Sequence, residues 1–166
     1  MRRKLMISTA LVTIAALAAV PGSPASAKGK SKVTKSSCTI DSQALGQPTP
    51  ASPTVTQLGF VACPEPFGSG LHYSRITIEK FPGPGVAGSA TGTFKNYFNR
   101  GTTRGTVAVT VVANGGPMKL TFTGTVKYTG GTGRFKHVKG DGMIVCTSTD
   151  GGMHKSCNVN TTLTGI

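Results

Sequence analysis

Residues 118–128 have the sequence MKLTFTGTVKY, and this stretch decides the fold. Apolar side chains alternate with lysine and threonine, so that Leu120, Phe122 and Val126 share one face with Met118 and Tyr128. Alternation with a period of two predicts a β-strand with one buried face and one face in water. A strand of this length suits a barrel or a strongly twisted sheet.

The residues before this stretch repeat the pattern. Val107, Val109, Val111 and Ala113 fall on one side of a strand predicted over 106–113, and the turn sequence NGGP at 114–117 joins the two strands into a hairpin. The chain has no amphipathic helix of useful length that could cover a sheet. We therefore predict an all-β fold, namely a small closed or nearly closed antiparallel barrel of about seven to eight strands, with a β-sandwich as the alternative. The remaining strands are predicted over 55–63, 71–80, 89–98, 142–148 and 157–165.

The first 27 residues have the three parts of a secretory signal peptide. Residues 1–4 (MRRK) are positive, residues 5–20 are apolar and uncharged, and the sequence Ala-Ser-Ala at 25–27 has the small residues that a signal peptidase needs. The apolar run of about 16 residues is shorter than the roughly 20 that span a bilayer. We expect cleavage near Ala27 and a mature protein that is secreted or held in the cell envelope, without a transmembrane span.

Three segments are therefore predicted: a signal peptide over 1–27, a flexible Lys/Ser/Pro-rich tail over 28–53, and a β-barrel domain over 54–166. The tail shows no apolar periodicity. A composition of that kind cannot bury enough apolar surface to offset the entropy lost on ordering the chain.

The mature chain is strongly basic. Loss of Arg2, Arg3 and Lys4 with the signal peptide lowers the formal net charge from +13 to about +10. Such a charge favours anionic partners, for example polymers of the cell envelope. The basic residues are scattered after residue 32, which also fits a surface that serves only solubility, and no specific nucleic-acid recognition is indicated.

All four cysteines lie in the mature part of the chain, and an even number in an exported protein predicts disulfides. Cys146 and Cys157 flank the turn sequence TDGG at 149–152, so they are expected opposite each other on a hairpin. That leaves Cys38 to pair with Cys63. The sequence has no C-x-x-C pair and no histidines at ligand spacing, so we predict no metal site.

The most distinctive stretch is YTGGTGRFKHVKG at 128–140. Its physical interpretation is a strand end, a glycine turn, a single helical turn and a second glycine where the next strand begins. Gly130, Gly131 and Gly133 permit a positive φ, and Phe135 is expected to act as a plug under one end of the barrel. The spacing does not match a phosphate-binding loop.

Together with the strand before it and the sequence GDGMIV after it, this turn resembles the G-G-T-G-x-F…G signature of the allene oxide cyclase and dirigent proteins. The resemblance covers roughly residues 100–148 and extends to bacterial secreted relatives of unassigned role. It implies an eight-stranded antiparallel barrel whose mouth holds a small apolar molecule. In the plant members the barrel guides the cyclisation of a fatty-acid epoxide or the coupling of phenoxyl radicals.

The chain departs from that family in two respects. Dirigent proteins usually continue the motif with Ala-Arg-Gly, where this chain has Val138-Lys139-Gly140. The acidic residues of the plant enzymes have no position here to which they can be aligned. The resemblance therefore assigns no catalytic residue to this sequence.

Candidate catalytic groups are few. Tyr73, Arg75 and Glu79 share one face of the strand predicted over 71–80, and Ile76 and Ile78 lie on the other. If the polar face lines a ligand pocket, the three could act together there; if the apolar face lines the barrel, they are solvated, which is the interpretation we favour. The histidines are isolated in sequence and are expected at the surface: His72, His137 and His154.

Three functions follow from these observations, and none of them calls for a cofactor. The first is a barrel that binds a small apolar molecule and predicts a cavity inside the barrel. The second is a basic protein that binds anionic envelope polymers without catalysis and predicts a filled core. The third is an isomerase or cyclase, suggested only by the family resemblance, which needs a buried carboxylate or a Tyr/Arg cluster in the cavity.

Overall fold

The computed structural model describes residues 32–116 and 118–166, and the predicted signal peptide lies outside them. Eight strands and one short 3-10 turn, Gly133–Phe135, make up the regular structure of this part of the chain. The strands are β1 (Thr34–Ala44), β2 (Thr54–Ala62), β3 (Ser69–Lys80), β4 (Gly88–Phe98), β5 (Gly101–Ala113), β6 (Leu120–Gly131), β7 (Lys139–Ser148) and β8 (His154–Thr164).

The strands form a closed antiparallel barrel. Each strand pairs with the next one in sequence, and β1 pairs with β8 over ten positions, so that no edge is left open. The predicted barrel is thereby confirmed, and the sandwich alternative is wrong. Closure stabilises a sheet that no helix covers, because it buries the apolar face and pairs every edge strand.

The prediction of a flexible tail over 28–53 was wrong for Thr34–Ala44, which form β1. Side chains of β1 alternate regularly between buried and exposed, and three of the five inward residues are Ser36, Cys38 and Ser42. Ser36 and Ser42 interrupt the apolar pattern that would mark this face in the sequence. The strand is ordered because its backbone pairs with both β2 and β8, between which it closes the barrel.

Both predicted disulfides are confirmed. Cys146 and Cys157 occupy paired positions of β7 and β8, with their Cα atoms 3.9 Å apart. Cys38 of β1 is bonded to Cys63, which directly follows β2, with a Cα separation of 4.2 Å. Each bond links neighbouring strands, and together they fasten β1 to β2 and β7 to β8.

One end of the barrel is closed by aromatic side chains. Phe135, which belongs to the turn between β6 and β7, is fully buried; its ring centroid lies 4.7 Å from that of Phe67 and 5.8 Å from that of Phe98. The turn is held against the β4–β5 hairpin, because Thr102 N–H donates to Thr132 Oγ1 over 3.2 Å. Phe135 therefore has the position expected from the glycine-rich turn, and we refer to Phe67, Phe98 and Phe135 as the aromatic plug.

Glycine in this turn answers a backbone requirement. Gly133 has a φ of +57°, which disfavours a side chain, and a Cβ atom there would run into the carbonyl oxygen of Arg100. Gly130 also has a positive φ, of +147°. The motif thus encodes a tight turn that sets Phe135 under the barrel.

Candidate ligand-binding cavity

The barrel encloses a cavity of about 250 Å³ that opens at the end opposite the aromatic plug. The β1–β2, β3–β4 and β7–β8 connections meet at this open end, which we call the mouth. They contribute the rim of the cavity: Gln47, Pro48, Phe81, Pro82, Gly151 and Gly152. A volume of this size would hold about eight water molecules or a compact organic molecule on the order of ten non-hydrogen atoms.

The wall of the cavity formed by β5, β6 and β7 is apolar. The even-numbered residues of β6 and the odd-numbered valines of β5 point inward because side chains alternate along a strand. This agrees with the faces predicted for both strands, except that Met118 precedes β6 and is exposed. The side chains of the apolar wall are Val107, Val109, Val111, Leu120, Phe122, Val126, Tyr128 and Ile144.

The opposite wall, formed by β8 and β1 to β4, carries the polar side chains, which we call the polar wall: Lys155, Ser42, Gln57, Ser74, His72 and Asn96. Two paired positions supply its hydrogen bonds. Ser74 Oγ donates to Gln57 Oε1 over 3.3 Å, and His72 Nδ1 lies 2.7 Å from Asn96 Oδ1. The polar wall thus contains two separate hydrogen-bonded pairs, set among apolar side chains of the same strands such as Ile76 and Phe94.

The hydrogen bonds fix the form of His72. Asn96 donates through Nδ2 to Thr103 Oγ1 over 3.3 Å, so its Oδ1 is the acceptor for His72 Nδ1–H. Burial lowers the pKa of His72, the bond to Asn96 opposes this, and the charge of Lys155 lowers it further. His72 is therefore a neutral imidazole near pH 7, and its Nε2 has a lone pair to offer in the cavity.

Lys155 is the charged residue of the cavity. It lies one position inside β8 from the mouth and shares the inward face with Cys157 and Val159. Its Nζ is 5.4 Å from the centroid of the Phe122 ring, on the apolar wall. Burial lowers the pKa of Lys155 to about 8, with partial opposition from Asp150.

The three residues proposed for catalysis lie elsewhere. Tyr73, Arg75 and Glu79 are exposed on the outer face of β3, where Glu79 Oε1 accepts a hydrogen bond of 2.6 Å from Thr91 Oγ1. The structure does not bring them into the cavity. The inward residues of the same strand are His72, Ser74, Ile76 and Ile78.

Two residues of the cavity were missed from the sequence. His72, expected at the surface, is buried, and Lys155 was not singled out at all. The alternation could have located both, since His72 has the same parity as Ile76 and Ile78, and Lys155 the same parity as Cys157.

Among the described residues, none of those that line the cavity is acidic, and no group of three or more His, Cys, Asp or Glu residues is arranged to hold a metal ion. Within 32–116 and 118–166, no helix is long and apolar enough to cross a membrane.

Tyr128 contributes a phenol to the inner surface, where burial raises its pKa to about 12 and its ring packs edge-on against Phe94.

Comparison with models of known protein families, with curated proteins and with solved structures found no match to this chain.

Proposed function

We propose that this protein binds a small, mainly apolar molecule inside its barrel. The observation that carries the proposal is the cavity of about 250 Å³, open at the mouth and closed by the aromatic plug. Eight-stranded barrels are just wide enough either to fill with side chains or to hold one small ligand. The open cavity of this barrel favours the second possibility.

The apolar wall supplies the affinity in this proposal. A ligand as large as a phenylalanine side chain has about 150–250 Å² of surface to bury, which is worth roughly 4–6 kcal/mol at about 25 cal/mol per Å². The loss of ligand freedom on binding offsets part of that gain. The barrel reduces the remaining cost because its walls are already in place and joined to each other by backbone hydrogen bonds.

Secretion is part of the same proposal. Both disulfides are formed, and such bonds persist in oxidising compartments. The sequence of residues 1–27 supports export through a signal peptide. The mass of the protein recovered from culture medium tests this directly, since a chain that begins at Lys28 is expected and an intact N-terminus would contradict it.

The resemblance to the allene oxide cyclase and dirigent proteins supports a ligand-holding barrel but no reaction. A cyclase or isomerase was expected to place a carboxylate or a Tyr/Arg cluster in the cavity. The lining holds Tyr128 with neither an arginine nor an acidic residue. Binding of anionic envelope polymers ranks second, because that function predicted a filled core.

The proposal can be tested with a cavity-filling variant. Val109→Phe adds a ring inside the cavity and should lower the affinity for indole, a neutral probe of suitable size, by at least tenfold. The matched control is Val112→Phe on the same strand, because Val112 is exposed on the outer face. Isothermal titration calorimetry is the suitable measurement, since the chain contains no tryptophan.

Each variant is first checked for a cooperative thermal transition, so that a loss of folding is not taken for a loss of binding. The proposal is wrong if wild type gives no binding heat with indole, or if folded Val109→Phe binds as well as the Val112→Phe control.

A further inference from the structure

The cavity carries a positive charge, that of Lys155, which Asp150 attracts without forming an ion pair with it. Among the described residues that line the cavity, Lys155 is the charged one and none is acidic. Within the described part of the chain, Lys155 forms no ion pair. A half-buried ammonium group in such surroundings is poorly compensated.

Asp150 is the nearest acidic group to Lys155 along the chain, but its oxygens are already engaged. Its Oδ1 accepts from Ser148 Oγ over 2.8 Å and from the backbone N–H of His154 over 2.9 Å. Its Oδ2 is bonded to the imidazole of His154, whose side chain is exposed on the outer face of β8. Asp150 thus organises the β7–β8 turn and leaves Lys155 available to a ligand.

The position of Lys155 also gives a direction to the ligand. The residue pairs with Ser42 across the β1–β8 ladder, close to the rim, whereas Val126 and Tyr128 of the apolar wall lie farther along their strand towards the aromatic plug. A molecule with an anionic group at one end can therefore pair with Lys155 near the mouth and bury its carbon skeleton below.

We propose that the ligand is a compact organic acid whose carboxylate pairs with Lys155 at the mouth, while its carbon skeleton packs against the apolar wall. This inference rests on the proposed function and adds the chemical class of the ligand. The size of the cavity limits the acid to on the order of ten non-hydrogen atoms. Ser42 and the Nε2 atom of His72 are the nearby polar groups that can bind an ordered water or a hydroxyl of the ligand.

A matched set of probes tests the charge preference. Phenylbutyrate, its neutral amide and the corresponding amine share a skeleton and differ in the charged end. Wild type is expected to bind the acid at least tenfold more tightly than the amide at pH 7, and the amine most weakly. Lys155→Met should abolish the difference between acid and amide, and Lys155→Arg should retain most of it.

The control variant is Lys95→Met. Lys95 also lies over an aromatic ring, that of Tyr97 at 4.7 Å, but on the exterior of the barrel. Lys95→Met lowers the net charge of the protein by the same amount as Lys155→Met, but outside the cavity. It should therefore leave the ratio of acid affinity to amide affinity unchanged. A ratio that falls equally in Lys95→Met and Lys155→Met would show that net charge alone attracts the acid, and the inference would be wrong.

The dependence on pH gives a second readout. An anion bound beside the ammonium raises the pKa of Lys155 above its value of about 8 in the empty barrel, so acid binding takes up a proton near pH 8. Affinity should therefore be flat between pH 6 and 7 and decrease by up to tenfold per pH unit above about 8. The other titrating groups around the cavity stay unchanged in this range, because the pKa values of His72 and Asp150 are lowered and that of Tyr128 is raised to about 12.

Two failures can be told apart. If wild type binds acid and amide equally and Val109→Phe removes both, the barrel binds small molecules but the choice of an acid is wrong. If none of the probes binds to folded wild type, both the inference and the proposed function are wrong.

Discussion

The two ends of the barrel are built differently, although the same eight strands run into both. At the closed end, Phe135 and Val138 are fully buried, Phe67 and Phe98 pack against Phe135, and the glycine turn is bonded to the neighbouring hairpin. At the mouth, the rim consists of Gln47, two prolines, two glycines and a partly exposed Phe81 around an opening. Side-chain packing at the closed end stabilises the fold, whereas the side chains at the mouth pack less closely and leave a cavity.

This difference explains where polar residues are tolerated. A polar group that is buried without a partner destabilises the fold, yet each buried side-chain nitrogen and oxygen atom in the described residues has a hydrogen-bond partner. His72, Gln57 and Ser74 meet that requirement through cross-strand pairs above the plug. Lys155 differs from these residues, because it has no ion-pair partner among the described residues and burial lowers its pKa.

The largest expected effect is the loss of the plug. Phe135→Ala should lower the free energy of unfolding by about 3–5 kcal/mol, because it leaves a cavity beside the rings of Phe67 and Phe98. Phe81→Ala at the mouth should lower it by less than about 1 kcal/mol, since Phe81 is partly exposed. Urea denaturation followed by circular dichroism measures both; equal losses would remove the proposed division between the two ends.

A smaller effect is expected from the charge at the mouth. The pKa of Lys155 is about 8 in the folded protein, whereas that of an unperturbed lysine is 10.5, so the unfolded chain binds more protons between these values. The stability of wild type should therefore rise between pH 8 and 10, by roughly 1–3 kcal/mol. Lys155→Met should be more stable than wild type at pH 7 and should lack this rise.

The measurement is the free energy of unfolding at pH 7, 8, 9 and 10, with Lys95→Met as the control. If both variants follow the wild-type curve, burial of Lys155 does not lower the free energy of unfolding, and the expectation is wrong. If Lys155→Met is more stable than wild type and no longer prefers the acid to the amide, the same side chain both lowers the stability of the fold and selects the ligand.

The parts predictable from sequence are those where one side-chain pattern has one structural solution. Most of residues 118–128, from Leu120 on, lie in β6 as their alternation predicts. Cys146 and Cys157 flank a turn and are paired, and the glycines that precede Phe135 place it in the plug. Strand β1 escaped prediction because Ser36 and Ser42 interrupt the apolar pattern of its inward face, and its order depends on neighbours that are distant in sequence. The periodicity of one strand does not contain that information.

Whether the barrel holds a cavity or a filled core was left open by the sequence for a related reason. Whether an inward face is filled or open depends on the summed volume of side chains from all eight strands, which no single segment shows. Polar residues at inward positions were therefore assigned to the surface, as happened for His72. Once the barrel is closed, parity places His72 and Lys155 in the cavity.

The most direct test of the central claim is a methyl NMR titration of the mature protein with phenylbutyrate. If the acid binds inside the cavity, it should contact the methyl groups of Val109, Val111 and Leu120, and it should not contact Val138 beside the plug. Contacts with Val138, or with the exposed methyl groups of Val112 instead of those in the cavity, would contradict a barrel that is closed at one end and binds through the other.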